Sequence, residues 1–122
     1  MQVEGITWHA VTLAPEAWEA TKQLVVETFG QTPMMEMDGI SVFQFPNGSL
    51  LELYTPETVP DFGYNGNVAF GFRVDDIDAA SAAVAAAGNE LLGEINRVPE
   101  MNYAYRHFKG PDGIVYGLNE QG

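Results

Sequence analysis

Along this chain, hydrophobic positions alternate with polar ones, switch to a spacing of three and four, then alternate again, and the whole pattern is run through twice. Residues 5–13, Gly-Ile-Thr-Trp-His-Ala-Val-Thr-Leu, are rich in β-branched and aromatic types and predict a strand. Pro15 suits the first turn of a helix, Glu16 and Glu19 sit where the helix dipole favours anions, and Gly30 supplies the stop. Between them Trp18, Thr21, Val25 and Phe29 recur at helical spacing with Leu24 beside them, predicting an amphipathic helix packed on a sheet. Residues 33–38, 40–45 and 49–55 read as a three-strand meander whose turns are Asp38-Gly39 and Phe45-Pro46-Asn47-Gly48. Pro46 cannot donate a ladder hydrogen bond, so the second turn is expected to be type I followed by a left-handed glycine. In that register Glu52 faces Val42.

Residues 56–66, with Pro56, Pro60, Gly63 and Gly66, read as a connector, after which the same order resumes. Residues 67–74 predict a strand, and Asp75, Asp76 and Asp78 an acidic helix start. Ile77, Ala80, Val84 and Ala87 form the buried stripe before Gly88. Strands follow at about 90–95, 102–109 and 114–119, the last pair joined by Gly110-Pro111-Asp112-Gly113. The chain is thus an internal duplication of a β-α-β-β-β period. Superposing the two Pro-Asn/Asp-Gly turns sets Leu50 on Val115, Leu53 on Leu118 and Glu52 on Gly117, so one half keeps a carboxylate where the other has none.

Alternation in these registers puts Phe43, Phe45, Phe70, Phe72 and Phe108 on the helix-covered face of each sheet. The opposite, concave face then carries Thr7, His9, Gln44, Glu52 and Tyr54 from the first half. From the second it carries Gly71, Arg73, Tyr103, Tyr105, His107 and Asn119. A slip of one residue would exchange the two lists.

At 122 residues and 46% hydrophobic, the chain has material for one modest core, and a single domain is expected: a first module over about 1–56, a connector over 57–66 and a second module over about 67–122. No apolar run approaches the roughly 20 residues that span a bilayer, and the absence of cysteine fits a cytoplasmic home. Five Lys+Arg against 17 Asp+Glu give a net charge of −12, which repels phosphate backbones and favours cationic ligands. Nucleic acid and membrane are therefore not expected partners. Motifs for serine hydrolases, phosphate loops and zinc helices do not occur.

Taken together, the two modules, His9 in the first strand, Phe45-Pro46-Asn47-Gly48 leading to Leu51-Glu52-Leu53, Val74-Asp75-Asp76-Ile77-Asp78, and Phe108 with Pro111-Asp112-Gly113 resemble the vicinal oxygen chelate superfamily. That superfamily includes glyoxalase I, the bleomycin resistance proteins and the extradiol dioxygenases. The resemblance implies an α+β fold of two tandem β-α-β-β-β modules, each a half-barrel around a cavity, in chains that pair as homodimers. In its metal enzymes a divalent ion is held by a histidine from a module's first strand and a glutamate from its last. Carried over, His9 and Glu52 match the ligand positions of the first module, while Ala69 and Gly117 stand at those of the second.

Two ligands out of four leave a weak, unselective metal site unless His107, opposite Gly117, joins His9 and Glu52 in a three-ligand centre with an open position. Without a metal, His9 is expected to hydrogen-bond Glu52 or a backbone carbonyl, and Glu52 is a candidate general base or the counter-ion of a cationic ligand. Tyr54, Tyr103 and Tyr105, with small Ala69 and Gly71 leaving room, describe a surface for a flat or cationic organic molecule. Gln44, Arg73, His107 and Asn119 complete the expected ligand-binding set. The favoured expectation is a small-molecule binder of the bleomycin-resistance kind with no cofactor. Its rival is a divalent-metal-dependent lyase, isomerase or dioxygenase-like enzyme using His9 and Glu52 catalytically.

Overall fold

A computed structural model describes residues 1–59 and 68–122, so most of the expected connector lies outside the described residues. The elements run β1 (Val3–Thr12), α1 (Pro15–Gln23), β2 (Met35–Met37), β3 (Ile40–Gln44), β4 (Leu50–Tyr54), β5 (Val68–Val74), α2 (Ile77–Ala86), β6 (Glu90–Val98), β7 (Tyr103–Lys109) and β8 (Val115–Gln121). This is the expected α+β arrangement, β-α-β-β-β twice. The compact units do not coincide with the sequence halves, however. One comprises His9–Val68; the other joins Met1–Trp8 to Ala69–Gly122.

In the first unit the strands lie in the order β2-β3-β4, with the end of β1 beside β4. The turn chemistry reads through: the Gly48 N–H donates to the Phe45 carbonyl at 2.8 Å, the Phe45 N–H to Ser49 at 2.9 Å, and Gly48 is left-handed at φ +86°. Asn47 Oδ1 accepts from the Ser49 N–H at 3.0 Å, which fixes the turn from within. Glu52 accordingly pairs with Val42. The helix-covered face buries Trp18, Val25, Phe43 and Leu53, with Val11, Leu13, Phe45 and Leu51 packed against them. Trp18 anchors this core by donating its indole N–H to the Leu53 carbonyl at 2.9 Å.

The expected helical stripe holds for Trp18 and Val25 and fails beyond them. From Leu24 to Thr28 the helix widens to a π turn. One extra residue in the turn rotates the remaining side chains by roughly 100° off the packing row. Phe29 is therefore 59% exposed and Leu24 45% exposed, while Val26 packs on the core instead.

In the second unit β5, β8, β7 and β6 lie side by side in that order, with β5 and β8 parallel and the rest antiparallel. The turn before β8 repeats the first one, with Gly113 N–H donating to Gly110 at 3.0 Å and Gly113 at φ +80°. His107 is thereby set opposite Gly117 and Tyr105 opposite Asn119, as the turn chemistry predicts. Asp76 caps α2 by accepting the Ala79 N–H, and Glu120 of β8 accepts the Ile77 N–H at 2.9 Å. The helix-covered core gathers Val74, Ile77, Ala80, Ala104, Phe108 and Leu118, flanked by Phe72, Val84 and Tyr116; Phe70 meets Tyr116 edge-on. Ala87, expected in the stripe, is the exposed C-cap residue of α2.

Candidate functional site

The open face of the first unit is built on β2, β3 and β4. Glu52 lies on it, half-buried, and its carboxylate accepts the Tyr54 hydroxyl at 2.6 Å, a length in the charge-assisted range. Two residues apart on one strand, they share a face by period alone. Gln44, the third expected member, is exposed two residues beyond Val42 on the same row.

His9 is the departure. Its Nδ1 lies 3.2 Å from the Leu50 carbonyl, and the Leu13 N–H donates to the Tyr54 carbonyl at 2.8 Å. Both contacts advance together along β1 and β4, so the two strands run parallel. Carried through, that register sets Ala10 beside Glu52 and His9 beside Leu51. Val11 and Leu13, in His9's row by alternation, both pack on the helix-side core. His9 thus falls in the helix-facing row, one residue out of step with its expected place, with its Nδ1 against a backbone carbonyl.

The open face of the second unit is aromatic. Tyr103 and Tyr105 stack with centroids 5.8 Å apart, Tyr105 meets His107 edge-on at 6.0 Å, and His107 meets Trp8 edge-on at 5.1 Å. Trp8 and His107 are buried, at 5% and 9% exposure. Burial pushes the His107 imidazole down to about 4, so it is neutral at physiological pH. Asn119, fully buried, donates to the Thr7 hydroxyl at 3.2 Å. Arg73 lies 3.2 Å from Glu4, close enough to pair charges, though its Nε lacks the angle of a hydrogen bond.

Trp8 is the residue that sequence reasoning missed. A Cβ added at Gly117 would lie 3.0 Å from its Cε3, so the missing side chain at 117 is what leaves room for the indole. Thr7 and Trp8 both reach β7–β8 residues of this face, which breaks strict alternation in β1. The available signal was the pairing of a large aromatic in the first strand with a glycine at the duplicated carboxylate position.

Comparison with known proteins agrees with this architecture. The family model for the Glyoxalase/Bleomycin resistance protein/Dioxygenase superfamily matches residues 7–117, and the chain belongs to that superfamily. Among solved structures it is similar to a Mn(II)-bound glyoxalase from Novosphingobium aromaticivorans, with TM-score 0.74, 18% identity, and coverage of 98% of this chain and 39% of that one. A methylmalonyl-CoA epimerase from Mycobacterium tuberculosis gives TM-score 0.69 at 18% identity, covering 98% and 89%. A superfamily member from Vibrio splendidus 12B01 gives 0.61 at 16% identity, covering 98% and 100%. No curated protein matches the chain.

The chelated divalent ion of the metal-dependent members does not fit the residues present. An indole fills the space over Gly117, where the second module's glutamate would stand. Among the described residues no three His, Asp or Glu side chains come together as a set able to hold a metal ion. His107 packs instead between Trp8 and Tyr105. Among the described residues, no helix is long and apolar enough to cross a membrane.

Proposed function

We propose that this chain binds a small organic molecule of aromatic or cationic character on the open faces of its sheets, without a chelated metal ion. The observation that carries this reading is Trp8 lying over Gly117, which puts an aromatic ring where the metal enzymes of the fold need a carboxylate. These faces present Tyr54, Tyr103 and Tyr105, a neutral His107 and the Glu52 carboxylate beside Gln44, Arg73 and Asn119, and the first five stack, accept hydrogen bonds or balance positive charge. The protein acts in the cytoplasm as a homodimer.

Calorimetric titration with aromatic and cationic compounds, in the presence and absence of EDTA, tests the reading. Saturable, stoichiometric uptake that ignores the chelator, with the compound recovered unchanged, is expected. Turnover that EDTA abolishes and that Glu52→Ala or His9→Ala eliminates would instead establish the metal-dependent lyase, isomerase or dioxygenase-like alternative.

A second reading has one observation in its favour. The Tyr54 hydroxyl on Glu52 orients a carboxylate as a general base needs. Metal-free proton transfer would appear as deuterium exchange into a carbon acid bound by the protein, lost in Glu52→Gln.

A further inference from the structure

Two lines of side chains cross the open face of the first unit. Met35 pairs with Val42 and Val42 with Glu52; one step along, Met37 pairs with Ile40 and Ile40 with Tyr54. Residues opposed in this way share a face. Each line therefore runs from a thioether on the edge strand, across a branched aliphatic residue, to a polar group on β4. Val42 is buried, whereas Met35 and Met37 are 46% and 53% exposed. Edge strands usually carry lysine or proline to discourage pairing, and this one carries soft apolar side chains.

Charge decides what such a face accepts. The segment 9–68 contains a single lysine, Lys22, and no arginine, and that lysine is engaged in an ion pair with Glu36. Glu36 pairs with Ser41, in the row opposite to that of Met35 and Met37, so the pair leaves the charge of the open face unchanged. Asp38 in the β2–β3 turn adds negative charge at the rim. Among the described residues of this unit an anionic ligand meets no unengaged lysine or arginine, whereas a cation meets the Glu52 carboxylate, held by Tyr54, whose ring is a further cation-binding surface.

Building on the small-molecule reading above, we infer that this face takes a hydrophobic organic cation, an amidinium or quaternary ammonium group on a flat apolar body. Glu52 is its counter-ion. Met35 and Met37 form the wall for the apolar body, since thioethers are polarizable and adjust to ligands of different outline. Ile40, half-buried, forms the floor between wall and charge.

The test uses three probes of one outline, 2-naphthamidinium, 2-naphthamide and 2-naphthoate, which are positive, neutral and negative. The whole chain is labelled with [ε-13C]methionine, whose five methyl signals report each methionine separately. The amidinium is expected to shift the Met35 and Met37 methyls saturably while leaving Met1 and Met101 in place. Its calorimetric affinity should exceed that of the amide roughly tenfold, with the naphthoate weakest, and Glu52→Gln should remove that preference. Met35→Gln and Met37→Gln, both at exposed positions, should keep the fold and weaken the amidinium roughly three- to tenfold. If amide and amidinium bind alike, the cation assignment fails and the small-molecule reading stands. If the amidinium binds without moving Met35 or Met37, the wall assignment fails. Methionine shifts that track protein concentration rather than ligand would make this face an interface between copies, and no binding by any probe would overturn both inference and reading.

Discussion

The two sequence halves repeat one period, yet the open faces of the two compact units differ in opposite directions. The first has a carboxylate at Glu52, hydrogen-bonded by Tyr54, with exposed thioethers two strands away on the same face. The second has glycine at the corresponding position 117 and has buried Trp8 and His107 there. Glu52 is half-buried on its face, whereas in the other unit the space over Gly117 is packed with rings. The missing side chain at 117 thus has a packing consequence as well as a chemical one, because an unfilled space on a sheet face forfeits contacts.

Truncating Trp8 should break this comparison most severely. Trp8→Ala removes a buried indole and is expected to cost about 3–5 kcal/mol in urea unfolding, whereas Gln44→Ala on the exposed row should stay within about 0.5 kcal/mol. His107 gives the next largest effect, through pH. Its folded value of about 4 lies below its ordinary 6.5, so between these limits the unfolded chain binds more protons and stability rises with pH. Stability should therefore fall as pH drops from about 6.5 to about 4, by about 3 kcal/mol for this residue, and the fall should shrink in His107→Gln when unfolding is measured across that range.

Gly71→Ala and Gly117→Ala sharpen the picture at smaller scale. A Cβ at 71 would come within 2.9 Å of the Gly117 backbone, which cannot easily yield, while one at 117 meets the Trp8 ring at 3.0 Å. Both should destabilise by about 1–3 kcal/mol, the first more than the second, as read from midpoint shifts in denaturant. Smallest is Trp18→Phe, which removes the hydrogen bond to Leu53 while keeping most of the ring. It should cost about 1 kcal/mol, and comparing it with Trp8→Phe separates the helix-side core from the open face.

Local chemistry made much of this legible. Pro46 and Pro111, unable to donate, forced the turn type, and the turn type forced the pairings of Glu52 with Val42 and of His107 with Gly117. What sequence could not carry was the phase of β1. Trp8 and His9 are neighbours, either side chain is plausible on either face, and only the contacts to Leu50 and Tyr54 fix which row each occupies. The π turn after Gln23 was hidden for a related reason. It inserts no residue type that marks it, yet it re-aims Phe29 and Leu24 toward solvent. Met35 and Met37 were passed over because methionine has no charge or titrating group to draw attention, and only the cross-strand register links them to Glu52.

The contact between Gly117 and Trp8 also sets an order on any route by which a second carboxylate is introduced. A glutamate installed at 117 collides with the indole before it can serve as a ligand, so the change is penalised while Trp8 remains. Shortening position 8 first removes the obstacle. The two substitutions are epistatic, and a double-mutant cycle of Gly117→Glu with Trp8→Ala should show the glutamate costing less in the second background than in the first. The indole in this sense favours the absence of a side chain at 117.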